Sequence, residues 1–345
     1  IFFQSDNNKD FNVDFKNAKI IQKPLTENIE MKTVILDAKT LGDDMSFSSL
    51  EKVCSLTVYG ATAPGEIQDR ARGAECIIIN KVKLTAEILE KLPYLKLICI
   101  TATGFDNVDV KWCSAHGVAV CNVCGYSTQS VALITVSLAL SLINHLPSFD
   151  SYVKSGLYTQ SGIQNKLTPV FHEPSALTWG VIGYGDIGKE VARIAESFGF
   201  SVLYCRNTPD GAQNCVNIDE LLTKSDVVSL HVPANAKTVN LINKERLEKM
   251  KDGAVLVNAA RGAVTDEAAV ADAVLSGQLS GFATDVYTTE PFPCGHPFEK
   301  LRSLDNVVFT PHMAWGAYEA RVRLISEVAL NISAFLSGSF RNRVD

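Results

Sequence analysis

Trp179-Gly180-Val181-Ile182-Gly183-Tyr184-Gly185-Asp186-Ile187-Gly188 is the stretch that decides how the rest of the chain is read. A Gly-x-Gly-x-x-Gly run alone is a weak signal. Here an apolar strand leads into it, and a helical pattern through Val191, Ile194, Ala195 and Phe198 leads out of it. That context predicts a strand–turn–helix unit built for a dinucleotide. Gly183 makes the tight turn, Gly185 lets the backbone approach a pyrophosphate, and Gly188 permits close packing of helix on sheet. Asp186 and Ile187 open the helix, whose unpaired N–H groups and positive dipole end face the phosphates.

Working outward, apolar runs alternate with helix-length amphipathic stretches on both sides of this motif. After residue 175 the predicted strands are 178–182, 201–205, 226–231, 254–258, 281–285 and 306–310, with helices such as 187–198 and 266–275 between them. An earlier series has strands at 33–38, 55–59, 76–79, 97–101 and 118–121, with helical patterns near 47–53, 64–72 and 85–91. Repeated strand–helix order implies mostly parallel sheets covered on both faces. The expected fold class is therefore α/β: two doubly wound, Rossmann-like parallel-sheet domains with the active site in the cleft between them. Gly125 and Ser127-Thr128 mark a plausible hinge, and 316–336 reads as a helix able to pack back onto the first unit. These points predict a discontinuous substrate-binding domain (31–130 plus 313–345) and a dinucleotide-binding domain (131–312). Residues 1–30, rich in Asn, Lys and Asp, read as an N-terminal extension or tag-like segment ahead of a start near Met31.

The 345 residues carry a net charge of −6, which argues against nucleic acid as a partner, because phosphate binding wants a basic surface. Nine cysteines, an odd number in no regular framework, read as reduced thiols of a cytoplasmic protein. Cys121 and Cys124 form one CxxC without companion ligands, so no metal is expected. The longest apolar run, Val131 to Ile143, falls short of the roughly 20 residues a bilayer span needs and suits a buried helix.

The end of the strand after the glycine motif bears on the cofactor. An acid there would bind the adenosine ribose diol, but the chain reads Val202-Leu203-Tyr204-Cys205-Arg206-Asn207. Cys205 stands where the acid is sought, and Arg206 and Asn207 are placed to grip a 2′-phosphate. The expectation leans to NADP(H) over NAD(H), with both open.

Three further segments lie at or beyond the C-terminal ends of strands in the second series, the edge where doubly wound sheets bind ligands. They are Asn258-Ala259-Ala260-Arg261-Gly262, Asp285-Val286-Tyr287-Thr288-Thr289-Glu290-Pro291 and Thr310-Pro311-His312-Met313-Ala314-Trp315. One Arg, one Glu and one His converging there supply what carbonyl reduction needs. Together with the glycine motif and Thr101-Ala102-Thr103-Gly104-Phe105-Asp106-Asn107-Val108-Asp109, they resemble the D-isomer-specific 2-hydroxyacid dehydrogenases over essentially the whole stretch from Met31 to Gly338. Within that family the chain looks most like the glycerate dehydrogenase, or hydroxypyruvate reductase, branch. Val34-Ile35-Leu36-Asp37, Leu41-Gly42-Asp43-Asp44, Ile79-Asn80-Lys81 and Trp315 carry this finer likeness.

The resemblance implies roles for residues that match. His312 would protonate the carbonyl oxygen in reduction and act as base in reverse, with Glu290 holding its tautomer. Arg261 would bind the substrate carboxylate through its planar fork. Backbone amides around Asn80-Lys81-Val82 and at Thr103-Gly104 would cradle that carboxylate, with Trp315 close to the substrate. Asp285 would face the nicotinamide carboxamide, while Val232-Pro233 and Ala259-Ala260 would line the cofactor cleft. Two positions depart from the family pattern: Cys124 where proline is common, and Ile134 where glycerate-type relatives often have His. His116, His145, His172, His231 and His296 lack catalytic company and read as structural. The resemblance also implies a homodimer built on 131–175, with Phe149, Tyr152 and Tyr158 as contacts.

The leading expectation is reduction of hydroxypyruvate or glyoxylate to the D-2-hydroxy acid. One alternative is a reductase of a bulkier 2-oxo acid of phenylpyruvate or branched-chain type. Another is a dinucleotide-sensing, corepressor-like binding protein, against which stands the lack of a basic tail.

Overall fold

The computed structural model describes residues 31–345; the extension expected over 1–30 lies outside the described residues. Among the described residues, eleven strands form two parallel sheets. The first has the order β2-β1-β3-β4-β5, with β1 Lys32–Ile35, β2 Ser55–Val58, β3 Cys76–Ile79, β4 Leu97–Ile100 and β5 Ala119–Cys121. The second runs β11-β10-β9-β8-β6-β7, with β6 Thr178–Ile182, β7 Ser201–Cys205, β8 Val227–Leu230, β9 Ala254–Asn258, β10 Leu279–Thr284 and β11 Val307–Phe309. Central strands are buried on both faces, which is why Cys76–Ile79 and Leu97–Ile100 are unbroken apolar runs rather than alternating ones.

The helices are α1 Ser48–Glu51, α2 Ile67–Arg70, α3 Ala86–Leu89, α4 Val110–Ala115, α5 Thr128–Ile143, α6 Leu146–Lys154, α7 Leu157–Ser161, α8 Asp186–Ser197, α9 Ile218–Lys224, α10 Lys244–Lys249, α11 Glu267–Leu275 and α12 Tyr318–Leu336. The helix expected over 64–72 is split. Pro64 opens a 3-10 turn, Pro64–Glu66, and only α2 is α-helical. Helices α6 and α7 bury no residue of their own.

Each sheet reverses strand order once beside its first strand, at β1/β3 and at β6/β8. Such switch points leave a crevice beyond the strands' C-terminal ends. Helix α12 returns the chain to the first sheet: Leu324, Ile325, Val328 and Ile332 share one core with Ile35, Ile78, Leu97 and Cys99. Helix α5 packs on α8, β9 and β10 instead. The chain thus passes between the two sheets twice, at 122–128 and at 313–317. The Ser130 hydroxyl joins these crossings, donating to the Ala314 carbonyl at 2.5 Å and accepting from the Ala317 amide at 3.3 Å.

Candidate active site

The glycine turn has the shape its sequence requires. Gly183 is left-handed, with φ of 96°, and a Cβ there would lie 2.6 Å from the His231 carbonyl oxygen. A Cβ on Gly188 would strike the Gly183 carbonyl, whereas at Gly185 it would meet nothing within 4 Å. The backbone at Gly185 and the first turn of α8 therefore face open space, and Asp186 and Gly185 are exposed. This cradle fits a dinucleotide pyrophosphate. Ala259 and Ala260, following β9, and Val232, following β8, are half-buried along the same edge, and Pro233 is exposed.

At the strand end that discriminates cofactors, Arg206 already has a carboxylate partner. Arg206 is ion-paired with Asp210 at 3.1 Å, and Asp210 also accepts from the Tyr204 hydroxyl at 2.8 Å. These bonds, led by Tyr204, hold the Asp210 carboxyl down at about 2. Tyr204 stacks on Tyr184 of the glycine turn, with centroids 3.6 Å apart. Arg206 is thus restrained by a carboxylate five residues past β7, and Cys205 is half-buried behind it.

His312 lies beyond β11 in the left-handed region, φ 54°, a strained conformation for a non-glycine residue. The surrounding bonds enforce it. The buried Asp285 carboxylate accepts from the Thr310 hydroxyl at 2.6 Å and from the Met313 and Ala314 amides at 2.8 and 2.9 Å. The Trp315 indole donates to the His312 carbonyl at 2.9 Å. The Asp285 carboxylate, which the sequence places toward a nicotinamide carboxamide, also fastens the turn that presents His312. Likewise Trp315 is half-buried against the first-sheet core and braces the same turn.

Glu290 Oε2 meets His312 Nδ1 at 2.6 Å, and its other oxygen accepts the Tyr287 amide at 3.0 Å. Burial pushes the Glu290 carboxyl up, but the hydrogen bond and charge of His312 outweigh it, so the group lies below its ordinary value. An ionised Glu290 requires the proton on Nδ1, leaving Nε2 to exchange a proton with a ligand.

Arg261 follows β9. Asn258 shapes the turn, accepting the Ala260 amide at 3.1 Å and donating to the Arg261 carbonyl at 3.0 Å. Gly262 is obligatory, since a Cβ would collide with the Tyr287–Thr288 peptide. The guanidinium donates from Nη1 to the Ala260 carbonyl at 2.8 Å, and its Nη2 lies against Gly104, where a Cβ would push it aside. Arg261 therefore meets the Thr103–Gly104 backbone of the other sheet. Among the described residues, neither the Thr103 nor the Gly104 amide has a protein acceptor.

The amides of 80–82 require a correction. Asn80, Lys81 and Val82 donate their N–H groups to the buried Asp37 carboxylate at 3.0, 2.6 and 3.0 Å. That nest already holds an internal anion, so it has no free amides for a substrate. Instead the turn sends the Lys81 side chain into the cleft, with Nζ 3.4 Å from His312 Nδ1. From the sequence, Asp37 enters only as part of the family likeness and Lys81 only through its backbone amide, so the contacts of neither side chain are foreseen. The available signal was an acid directly after a buried first strand, at the C-terminal edge of the sheet. His296 bonds Glu267 at 3.0 Å, and burial pushes His231 down to about 3.

Residues 136–314 match the family model of the D-isomer specific 2-hydroxyacid dehydrogenase NAD binding domain. The chain is 36% identical over 315 residues to the glycerate dehydrogenase of Methylorubrum extorquens, covering 91% of this chain and 99% of that one. It is 32% identical to the hydroxypyruvate reductase of Blautia hydrogenotrophica, over 91% of this chain and all of that one. Among solved structures it superposes on the D-lactate dehydrogenase of Aquifex aeolicus complexed with NAD and lactic acid. The TM-score is 0.80 at 32% identity, covering 90% of this chain and 98% of that one.

Proposed function

The chain belongs to the family of D-isomer-specific 2-hydroxyacid dehydrogenases, and from that premise we propose that it reduces hydroxypyruvate or glyoxylate to the D-2-hydroxy acid. It is an oxidoreductase of small 2-oxo acids that uses a nicotinamide dinucleotide. The observation carrying the reading of the site is the 2.6 Å contact between His312 and Glu290, facing Arg261 across one cleft. The substrate carboxylate sits between the Arg261 guanidinium and the free amides of Thr103 and Gly104. Its carbonyl oxygen takes the proton from His312 Nε2, while Glu290 stabilises the imidazolium before transfer. The dihydronicotinamide, when bound, supplies the hydride. In this reading 31–130 with 313–345 form the substrate-binding domain, 131–312 form the dinucleotide-binding domain, and the protein works in the cytoplasm.

Hydroxypyruvate and glyoxylate rank ahead of phenylpyruvate because the names of the curated relatives include glycerate dehydrogenase, hydroxypyruvate reductase and glyoxylate reductase. Arg206 favours NADPH only to the extent that it leaves Asp210 for a 2′-phosphate. Initial rates with NADPH and NADH against hydroxypyruvate, glyoxylate, pyruvate and phenylpyruvate test both points. The expected result is fastest turnover with hydroxypyruvate and NADPH. A preference for NADH would give the choice to Asp210, and a preference for phenylpyruvate would remove the glycerate-type assignment.

The homodimer is proposed on the 131–175 arm. Phe149 packs edge-on to Phe171, and Tyr152 edge-on to Tyr158, so these rings stiffen the arm itself. Leu146, Val153, Leu157, Ile163, Leu167 and Val170 remain exposed on the same arm, and such apolar side chains are what a partner copy would cover. Light scattering on a sizing column should return twice the chain mass, and a monomeric mass at micromolar concentration would refute the assignment.

A further inference from the structure

A second cation occupies the cleft beside Arg261, and neither substrate binding nor proton transfer has yet required it. Lys81 Nζ lies 3.4 Å from His312 Nδ1, the nitrogen that Glu290 Oε2 holds at 2.6 Å. With Glu290 ionised, Nδ1 carries a proton and has no lone pair for Lys81. The ammonium therefore acts on the imidazole as a charge, not as a hydrogen-bond donor.

Its placement is built rather than incidental. The Asp37 carboxylate binds three consecutive amides of the turn, and the Asn107 amide group donates to the carbonyls of Asn80 and Val82 at 3.2 and 2.9 Å. Both edges of the Asn80–Val82 backbone are thus pinned, so the stem of Lys81 starts from a fixed point. The groups facing its ammonium come from every wall of the cleft. They are Glu290, Asp285 and His312 from the β10 and β11 loops, Arg261 from the β9 loop, and Asp106 from the β4 loop. Desolvation in this cleft lowers the Lys81 ammonium from its ordinary value, while Glu290 opposes that shift.

We propose that Lys81 is a positioning residue for proton transfer, whose ammonium sets the acidity of His312 from across the cleft. This rests on His312 being the proton donor. Glu290 alone would hold the imidazolium proton too firmly, since an adjacent carboxylate favours the charged ring. A cation against the same ring edge offsets that bias and makes Nε2 a readier donor to the nascent alkoxide. Lys81 belongs to the five-stranded unit and His312 to the six-stranded one, so the offset depends on their approach.

The sign of the effect is fixed. Removing the cation favours the charged ring and makes His312 a weaker acid, so its protonated form survives to higher pH. The test is the pH profile of kcat/KM for 2-oxo acid reduction in the intact enzyme, comparing wild type with Lys81→Met and Lys81→Arg. In Lys81→Met the alkaline limb should move up by roughly one unit, and Lys81→Arg should restore it. A limb that stays in place or moves down in Lys81→Met, with only KM altered, overturns the role of Lys81 and leaves His312 as the acid. A wild-type profile without an alkaline limb, together with full activity in His312→Gln, overturns the acid–base reading itself and this inference with it.

Discussion

Substituting His312 by Gln is expected to lower kcat for 2-oxo acid reduction by about 10²–10⁴-fold while leaving dinucleotide affinity nearly unchanged. Glutamine has similar reach and can still donate to Glu290, but it has no proton to transfer near neutral pH. The turn that carries it should survive, because its geometry is imposed by Asp285 on Thr310, Met313 and Ala314 rather than by the imidazole. The left-handed backbone at 312, φ 54°, tolerates Gln no worse than His by much. Stopped-flow absorbance of the dihydronicotinamide under single-turnover conditions measures the step directly. A variant retaining more than about a tenth of wild-type kcat would remove His312 from proton transfer, given the size of a general-acid contribution.

Substituting Arg261 by Lys should cost about 10²–10³-fold in kcat/KM, with both kcat and KM affected. The guanidinium is fixed at one end by Ala260 and reaches Gly104 at the other, so it spans the two sides of the cleft at once. A single ammonium can serve only one of those directions. It would neutralise the substrate carboxylate without fixing the plane of the carbonyl, so orientation is lost along with binding. Steady-state kinetics over a wide range of oxo-acid concentration separates the two losses. A rise in KM with unchanged kcat would reduce Arg261 to an anchor with no part in the transition state.

The strands were legible because parallel sheets buried on both faces demand unbroken apolar runs. Thus 76–79, 178–182 and 254–258 have the same limits in sequence and structure, as does the edge strand 201–205, which alternates instead. Arg261, Glu290 and His312 were legible because each follows a recognisable strand at the edge where such sheets bind ligands. The contacts of Asp37 were not. They depend on β1 lying beside β3, a consequence of strand order that no local pattern records. The same holds for Asp210, which reaches Arg206 through the path of a loop, and for Lys81, whose partner is 231 residues away in sequence. Local chemistry was readable; contacts created by topology had to wait for the fold.

The Ser130 hydroxyl, bonded to both Ala314 and Ala317, has a mechanical meaning. Two bodies joined by a single flexible strand can twist, slide and rock, and would meet in a different pose at each encounter. Here the two connecting strands are riveted at one point, like the leaves of a door hung on adjacent pins. A hinge at this pair would favour rotation about the line through them over sliding, which would break the Ser130 bonds. Such a swing would bring Gly104 to Arg261, and Lys81 to His312, along one arc. Precision at the reacting atoms would then be set at the far end of the lever.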